Sequence, residues 1–196
     1  MCTTYIYRHI MRLPRMKLFT TRELLQYGRR SAVDQALYRM VKAKFIIRLA
    51  RGVFVRDDSR NPSLFEIATV KAAAFGKKLL KHAVSKLVEL KLVPRTETVI
   101  SLFAISGHSS SFLTCHGRVT LHGIGARKAK LCQTEVGQVV NALWHLGESG
   151  CTAREVTIAS RNFQRTKREQ FRQASALMPA WLHNICRFRY PSARVI

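Results

Sequence analysis

Acidic residues are scarce in this chain. Eleven Asp and Glu face thirty-four Lys and Arg over 196 residues, a formal net charge of +23 at pH 7. Only three of the acids are aspartates (Asp34, Asp57 and Asp58), and no D-x-D occurs. A two-metal nuclease site, which needs converging carboxylates to hold its ions, is therefore poorly supplied. Long apolar runs are missing as well. "VISLFAI" is near the longest, far short of the roughly 20 residues that a spanning helix requires. The opening "MCTTYIYRHIMRLPRMKLF" has no apolar stretch fit for a secretory signal. It is arginine-rich and free of acids until Glu23, so an organelle-targeting peptide is one reading. A first helix laid near a phosphate backbone explains the same residues more simply. The five cysteines (Cys2, Cys115, Cys132, Cys151, Cys186) are odd in number and show no C-x-x-C spacing. That favours reduced thiols in a cytoplasmic setting over a disulfide framework.

What is present is an ordinary globular composition carrying extraordinary positive charge. The apolar fraction of 47% excludes wholesale disorder. A protein this self-repulsive is expected to meet a polyanion, either nucleic acid or an anionic membrane surface. Residues 1–60 hold fourteen Lys and Arg against four acids, and residues 61–196 hold twenty against seven. Basic density is thus highest at the N-terminal end.

Two helix starts in that region follow from capping chemistry. "TTRE" places Thr20 at an N-cap with Glu23 three residues on, so each side chain can satisfy an orphaned backbone N–H. "SAVD" repeats the pattern with Ser31 and Asp34, opening a helix through about Lys44. On this second helix Val33, Leu37, Met40 and Val41 form a buried stripe, leaving Gln35, Tyr38, Arg39 and Lys42 opposite. Two helices joined by a short turn near Gly28 make a helix-turn-helix pattern. "RLARGVFVR" follows, with Phe45–Ala50 β-rich, a turn at Arg51–Gly52 and a return over Val53–Val55. Arg48, Arg51 and Arg56 stand at its tip and ends. Helix-turn-helix followed by a small basic hairpin is the winged form of the motif, in which the second helix enters the major groove and the wing reaches the flanking backbone.

Beyond "DDSRNPS", a polar and proline-bearing boundary, the pattern changes. Residues 63–78 read as a helix with Leu64, Ile67, Ala68 and Ala74 inward. Residues 79–93 read as helix, although "KLVELKLV" alternates enough to leave a strand as the alternative there. "ETVISLFAIS", "SSFLTCHG" and "RVTLHGIG" are three candidate strands of a small antiparallel sheet. Helix returns from Thr134 through Leu146, a third capping box spans Thr152–Glu155, and "NFQRTKREQFRQASALM" reads as a surface helix. The fold class expected is α+β: an N-terminal winged helix-turn-helix over 1–60, then a mixed domain over 61–196 with C-terminal helices.

Catalytic and metal-binding readings find little support. "SGHSSSF" lacks the final glycine of a nucleophile elbow and reads as a hairpin turn. Cys115, His116, His122 and Cys132 match no zinc spacing. No catalytic residue, metal or cofactor is therefore expected. A nucleic-acid interface needs only ordinary parts. Arg29, Arg30 and Ser31 stand at the N-terminus of the second helix, where the dipole and free N–H groups favour a phosphate. Gln35, Tyr38, Arg39 and Lys42 line its face, and Arg48 and Arg51 belong to the wing. Each of these residues alone reads equally well as a solvated surface. Together with the hairpin and the net charge they read as a DNA-binding set.

"AVDQALYRMVKAKFIIRLARGVFV" resembles the N-terminal winged-helix segment of the AbiEi family of antitoxin-type transcriptional regulators. The match rests on Ala36, Leu37, Arg39, Ile47, Arg51, Gly52 and Val53. "VVNALWHLG" and "MPAWLHNI" are similar to the C-terminal domain of the same group, whereas Phe45 stands where the family commonly has a glycine. The resemblance implies a non-enzymatic, sequence-specific regulator that binds a double-stranded DNA operator and represses its own toxin–antitoxin operon. It implies a nucleotidyltransferase-type toxin as partner of the second domain, and a homodimer is compatible with it. A sequence-tolerant RNA- or DNA-binding protein is the alternative, since the charge beyond residue 60 exceeds what a protein-contact domain needs. No membrane partner is expected.

Overall fold

The computed structural model describes residues 2–56, 61–96, 101–161 and 168–189. In chain order it contains α1 (Cys2–Arg12), β1 (Phe19–Thr20), a 3₁₀ helix (Thr21–Tyr27), α2 (Arg30–Lys42), β2 (Ile47–Ala50), β3 (Val53–Val55) and α3 (Leu64–Ala73). Next come β4 (Leu79–Lys81), α4 (Ala83–Glu89), β5 (Leu102–Ser106), β6 (Ser110–Thr114) and β7 (Gly117–Ile124). The helices α5 (Ala126–Leu131), α6 (Glu135–Gly150), α7 (Ala153–Ser160), α8 (Arg168–Ser175) and α9 (Ala180–Arg189) complete it. The protein is α+β. The chain divides into two compact units, Met1–Leu79 with Ser110–Leu121 and Leu80–Ser109 with His122–Ile196. The first unit therefore extends past residue 60 to include α3 and most of the β6–β7 hairpin. The Asp57–Asp58 turn, the start of the strand expected at 97–106 and the start of the helix expected at 162–178 lie outside the described residues. Among the described residues no helix is long and apolar enough to cross a membrane.

Local chemistry explains most element boundaries in the first unit. Thr20 and Glu23 form the expected reciprocal capping box, with the Thr20 N–H donating to the Glu23 carboxylate at 3.0 Å. The turn that follows winds as 3₁₀ rather than α and stops at Gly28. The second expected box does not form. α2 begins at Arg30 with Arg29 as its N-cap residue, so Ser31 lies inside the first turn and caps nothing. The physical reason is a competitor one turn away: Asp34 turns to the Arg30 guanidinium at 2.8 Å instead of folding back on the helix start. At the other end the helix stops at Lys42, two residues early. Lys44 takes a positive φ of 58°, and the Phe45 N–H returns to the Met40 carbonyl, closing the helix in the manner usually given to glycine.

The hairpin forms, its first strand starting at Ile47 instead of Phe45, with Gly52 at φ 80° making the turn. A bulge between Arg48 and Ala50 lets Leu49 and Ala50 both face the core. Within the first unit the strand order is β1-β3-β2-β6-β7, so β3 is interior and is covered on both faces. Val53 and Val55 pack with Leu18, Leu49 and Ile67, while Phe54 packs with Ile6, Phe19, Leu37 and Ile46. The β6–β7 hairpin was expected in a separate sheet of 61–196. Instead β6 continues the sheet beside β2, with the Cys115 N–H donating to the Leu49 carbonyl at 2.9 Å. An edge strand leaves backbone donors and acceptors unpaired, and β6 supplies partners for those of β2.

In the second unit α6 is the central element. Val136, Val139, Val140 and Leu143 pack with Leu131, Val156, Met178 and Leu182. Thr134 caps α6, whose helical path breaks at Gly147 (φ 77°). Thr152 and Glu155 form the capping box read from sequence. Of residues 79–93, Ala83–Glu89 form the expected helix, Leu79–Lys81 form a short strand instead, and the strand alternative over 86–93 does not form. The segment expected as a surface helix also contributes Ala174 and Met178 to the core.

Candidate nucleic-acid interface

The expected contact residues all lie in the first unit. Val33, Ala36, Leu37 and Met40 turn one side of α2 into the core, which forces the other side outward. Ser31, Gln35, Tyr38 and Lys42 follow one another at three- and four-residue spacing along that outer side, with Arg39 beside them, and all five are exposed. Tyr38 is 68% exposed, unusual for a large aromatic with nothing to cover it. Arg29, Arg30, Arg48 and Arg51 are exposed as well.

Four of the nine residues line one feature. A groove of about 290 Å³ between α2 and the hairpin has Arg30, Tyr38, Arg48 and Arg51 on its walls. Its one carboxylate, Asp34, is already engaged by Arg30. Among the described residues Arg39, Lys42, Arg48 and Arg51 have no carboxylate partner. Arg29, Ser31, Gln35, Arg39 and Lys42 do not line this groove. A second groove, of about 640 Å³, is walled by Arg15, Lys44, Arg48 and Arg56 over Met11, Val41 and Phe45, so Arg48 separates two cationic depressions.

One arginine of the hairpin is engaged by the protein itself. The Arg56 guanidinium donates to the carbonyl oxygens of Met11 at 2.6 Å and Leu13 at 3.1 Å, satisfying acceptors left over at the end of α1. Two further cations that reading along the first sixty residues does not single out lie close to the hairpin. Lys44 reaches the second groove from its left-handed position. Lys71 comes from α3, and its ammonium donates to the Arg51 carbonyl at 2.7 Å and lies 4.8 Å from the centre of the Phe112 ring. Burial, then the nearby Arg51 and Arg48 charges, hold the Lys71 pKa below the usual lysine value. The stem of Lys44 was legible as the end of a helix; nothing local marks Lys71.

A different polar cluster lies in the second unit. His82 is buried at the start of α4, where its Nδ1 accepts from the Val84 N–H at 3.3 Å. The His122 and His145 rings each stand edge-on to it at 5.3 Å. Burial, followed by His145, His122 and Lys128, lowers the His82 pKa to about 4. Among the described residues no group of three or more His, Cys, Asp or Glu side chains is arranged to hold a metal ion, and Cys115, His116, His122 and Cys132 do not form such a set. Cys132, Cys151 and Cys186 are buried thiols whose pKa values burial raises, to about 11 for Cys151 and about 12 for Cys186. Such thiols remain protonated and unreactive.

No family model matches the chain, and neither a curated protein nor a solved structure matches it.

Proposed function

We propose that the chain is a sequence-specific, double-stranded DNA-binding transcriptional regulator in which α2 is the recognition helix and the β2–β3 hairpin is its wing. The order helix, strand, helical turn, helix and two-stranded hairpin supports the winged reading. The observation that carries the proposal is the shared groove of Tyr38, Arg48 and Arg51 beside the exposed Ser31–Gln35–Tyr38–Lys42 side of α2. Gln35 and Arg39 have the donors and acceptors that discriminate base edges, while Arg29, Arg30, Lys42, Arg48 and Arg51 supply charge for phosphates. Such a protein works by occupying DNA, without a catalytic step, cofactor or metal, and in the cytoplasm.

The resemblance to antitoxin-type regulators extends the proposal: residues 61–196 bind a nucleotidyltransferase-type toxin, and the operator is that of the protein's own operon. Selection from a pool of random duplexes tests the central reading. A regulator enriches one sequence and prefers it over random DNA by about 10³ or more. Recovery of an unenriched pool would favour the second reading, a sequence-tolerant RNA- or DNA-binding protein. That reading draws on the excess of thirteen positive charges beyond residue 60.

A further inference from the structure

The larger of the two depressions beside Arg48 joins exposed apolar surface to unpaired charge. Met11, near the end of α1, is 44% exposed, Phe45, just after α2, is 53% exposed, and both line it. Tyr7 stands one turn before Met11 and meets the Phe45 ring edge-on at 5.9 Å. The three side chains therefore make one patch across α1 and the chain leaving α2. Single exposed apolar residues are ordinary. Apolar residues grouped along a concave groove, here of about 640 Å³, are the usual mark of a binding surface.

The same groove is lined by Arg15, Lys44 and Arg48, all exposed, and by no acidic residue. Among the described residues none of these three has a carboxylate partner, whereas the fourth cation, Arg56, is engaged by the Met11 and Leu13 carbonyls. Lys44 reaches the groove from a φ of 58°, a conformation usually given to glycine at a helix end. An occupant must thus supply apolar groups and negative charge together. A second copy of the chain is a poor fit, since it presents thirty-four basic residues and only eleven acids. A nucleic-acid strand has the charge, but it covers apolar surface by stacking bases on aromatic faces. Phe45 is the one aromatic side chain lining the groove, and the Tyr7 ring lies at 80° to it, so the two offer no common stacking plane. The other apolar side chains lining it, such as Met11 and Val41, are not aromatic.

We infer that this groove docks an acidic, amphipathic segment of a partner protein. Its apolar side chains cover Met11, Val41 and Phe45, and its carboxylates pair with Arg15, Lys44 and Arg48. The arginine fork matches a carboxylate, and methionine adapts to side chains of differing shape. The inference does not rest on the duplex-binding reading, because Arg15 and Phe45 line this groove and not the one that Tyr38 lines.

A displayed library of short random peptides, selected on the full chain, tests it. Enriched peptides should combine Asp or Glu with large apolar residues. One of them, synthesised with a fluorescent label, should bind Phe45→Ser about tenfold more weakly or worse. The double variant Arg15→Gln, Lys44→Gln should weaken it as well. Lys78→Gln removes a charge outside the groove and should leave the affinity unchanged. Should Phe45→Ser not fold, Met11→Ser, at an exposed helix position, takes its place. Enrichment of acidic peptides without apolar residues, or equal loss in Lys78→Gln, would reduce the binding to net charge and overturn the inference. Failure to enrich any peptide that the groove variants release would overturn it too. Labelled oligothymidine, vesicles of phosphatidylserine and phosphatidylcholine, and sedimentation of the chain alone read the other occupants. Should Phe45→Ser weaken binding to one of these, or self-association, and not peptide binding, the groove belongs to that occupant and the inference falls.

Discussion

Arg56 closes the hairpin onto α1 by donating to the Met11 carbonyl oxygen at 2.6 Å. The same guanidinium also serves Leu13, so one arginine satisfies two acceptors that the helix cannot. Arg51, five residues earlier in the same basic motif, is exposed at the tip. Similar side chains in one short hairpin thus stand in different surroundings, one bound to the protein's own carbonyls and one exposed, and mutation separates them. Arg56→Ala should lower stability by about 1–2 kcal/mol by leaving those carbonyls without their donor, measurable by thermal or urea unfolding. Its effect on the salt dependence of DNA binding should be slight.

Arg51→Ala should behave in the reverse manner. Binding to selected and random duplexes should weaken by similar factors, with the salt slope reduced by about one unit. The melting temperature should barely move, because an exposed side chain at a turn adds little to the core. A clear loss of thermal stability with unchanged affinity would assign the tip to packing alone.

Arg39→Ala should act on specificity. The residue is exposed beside Gln35 and Tyr38, so its loss should leave folding intact while removing about 1–3 kcal/mol of preference for the selected duplex if it reads a guanine. Competition between selected and random duplexes measures this difference. Equal loss on both would move Arg39 to the phosphate-contacting group.

Lys44→Gly should stabilise the first unit. The lysine holds a φ of 58° at the end of α2, where a Cβ costs about 1–2 kcal/mol and glycine none. The greater freedom of glycine in the unfolded chain takes back part of this, leaving an expected gain below about 1 kcal/mol in chemical unfolding. If Lys44 also contacts phosphate through its groove, DNA affinity should fall as stability rises.

His82 should make the second unit sensitive to acid. Its folded pKa of about 4 lies below the ordinary 6.5, so its contribution is fully present above pH 6.5 and is lost as pH falls from 6.5 towards 4. The full linkage amounts to about 3 kcal/mol. The groups facing it are His145 from α6, His122 from β7 and Lys128 from α5, all of which disfavour its protonation. His145, whose pKa is also lowered, adds in the same direction. Urea unfolding between pH 7 and 4 should show the loss, and His82→Asn, which can keep an acceptor for the Val84 N–H, should flatten it.

Short-range chemistry in the sequence was enough to determine the capping boxes at Thr20–Glu23 and Thr152–Glu155, the buried stripe of α2, and the Arg51–Gly52 turn. Each depends on groups within a few residues, so every needed partner is visible in the string. Ser31–Asp34 carries the same signal and forms no box, because Arg30 competes for the same carboxylate at helical spacing. The exposure of Gln35, Tyr38 and Arg39 followed from periodicity, whereas their grouping with Arg48 did not, since it depends on how the hairpin packs against α2. Tertiary structure alone decided that β2 is flanked by β6, that Arg56 serves α1, and that Lys71 joins Arg51 and Phe112. Those partners lie tens of residues apart, and no local propensity distinguishes one lysine of a basic chain from another. What selects among them is the closing of the sheet: once β6 satisfies the open edge of β2, Phe112 is carried to the place where the Lys71 ammonium must lie.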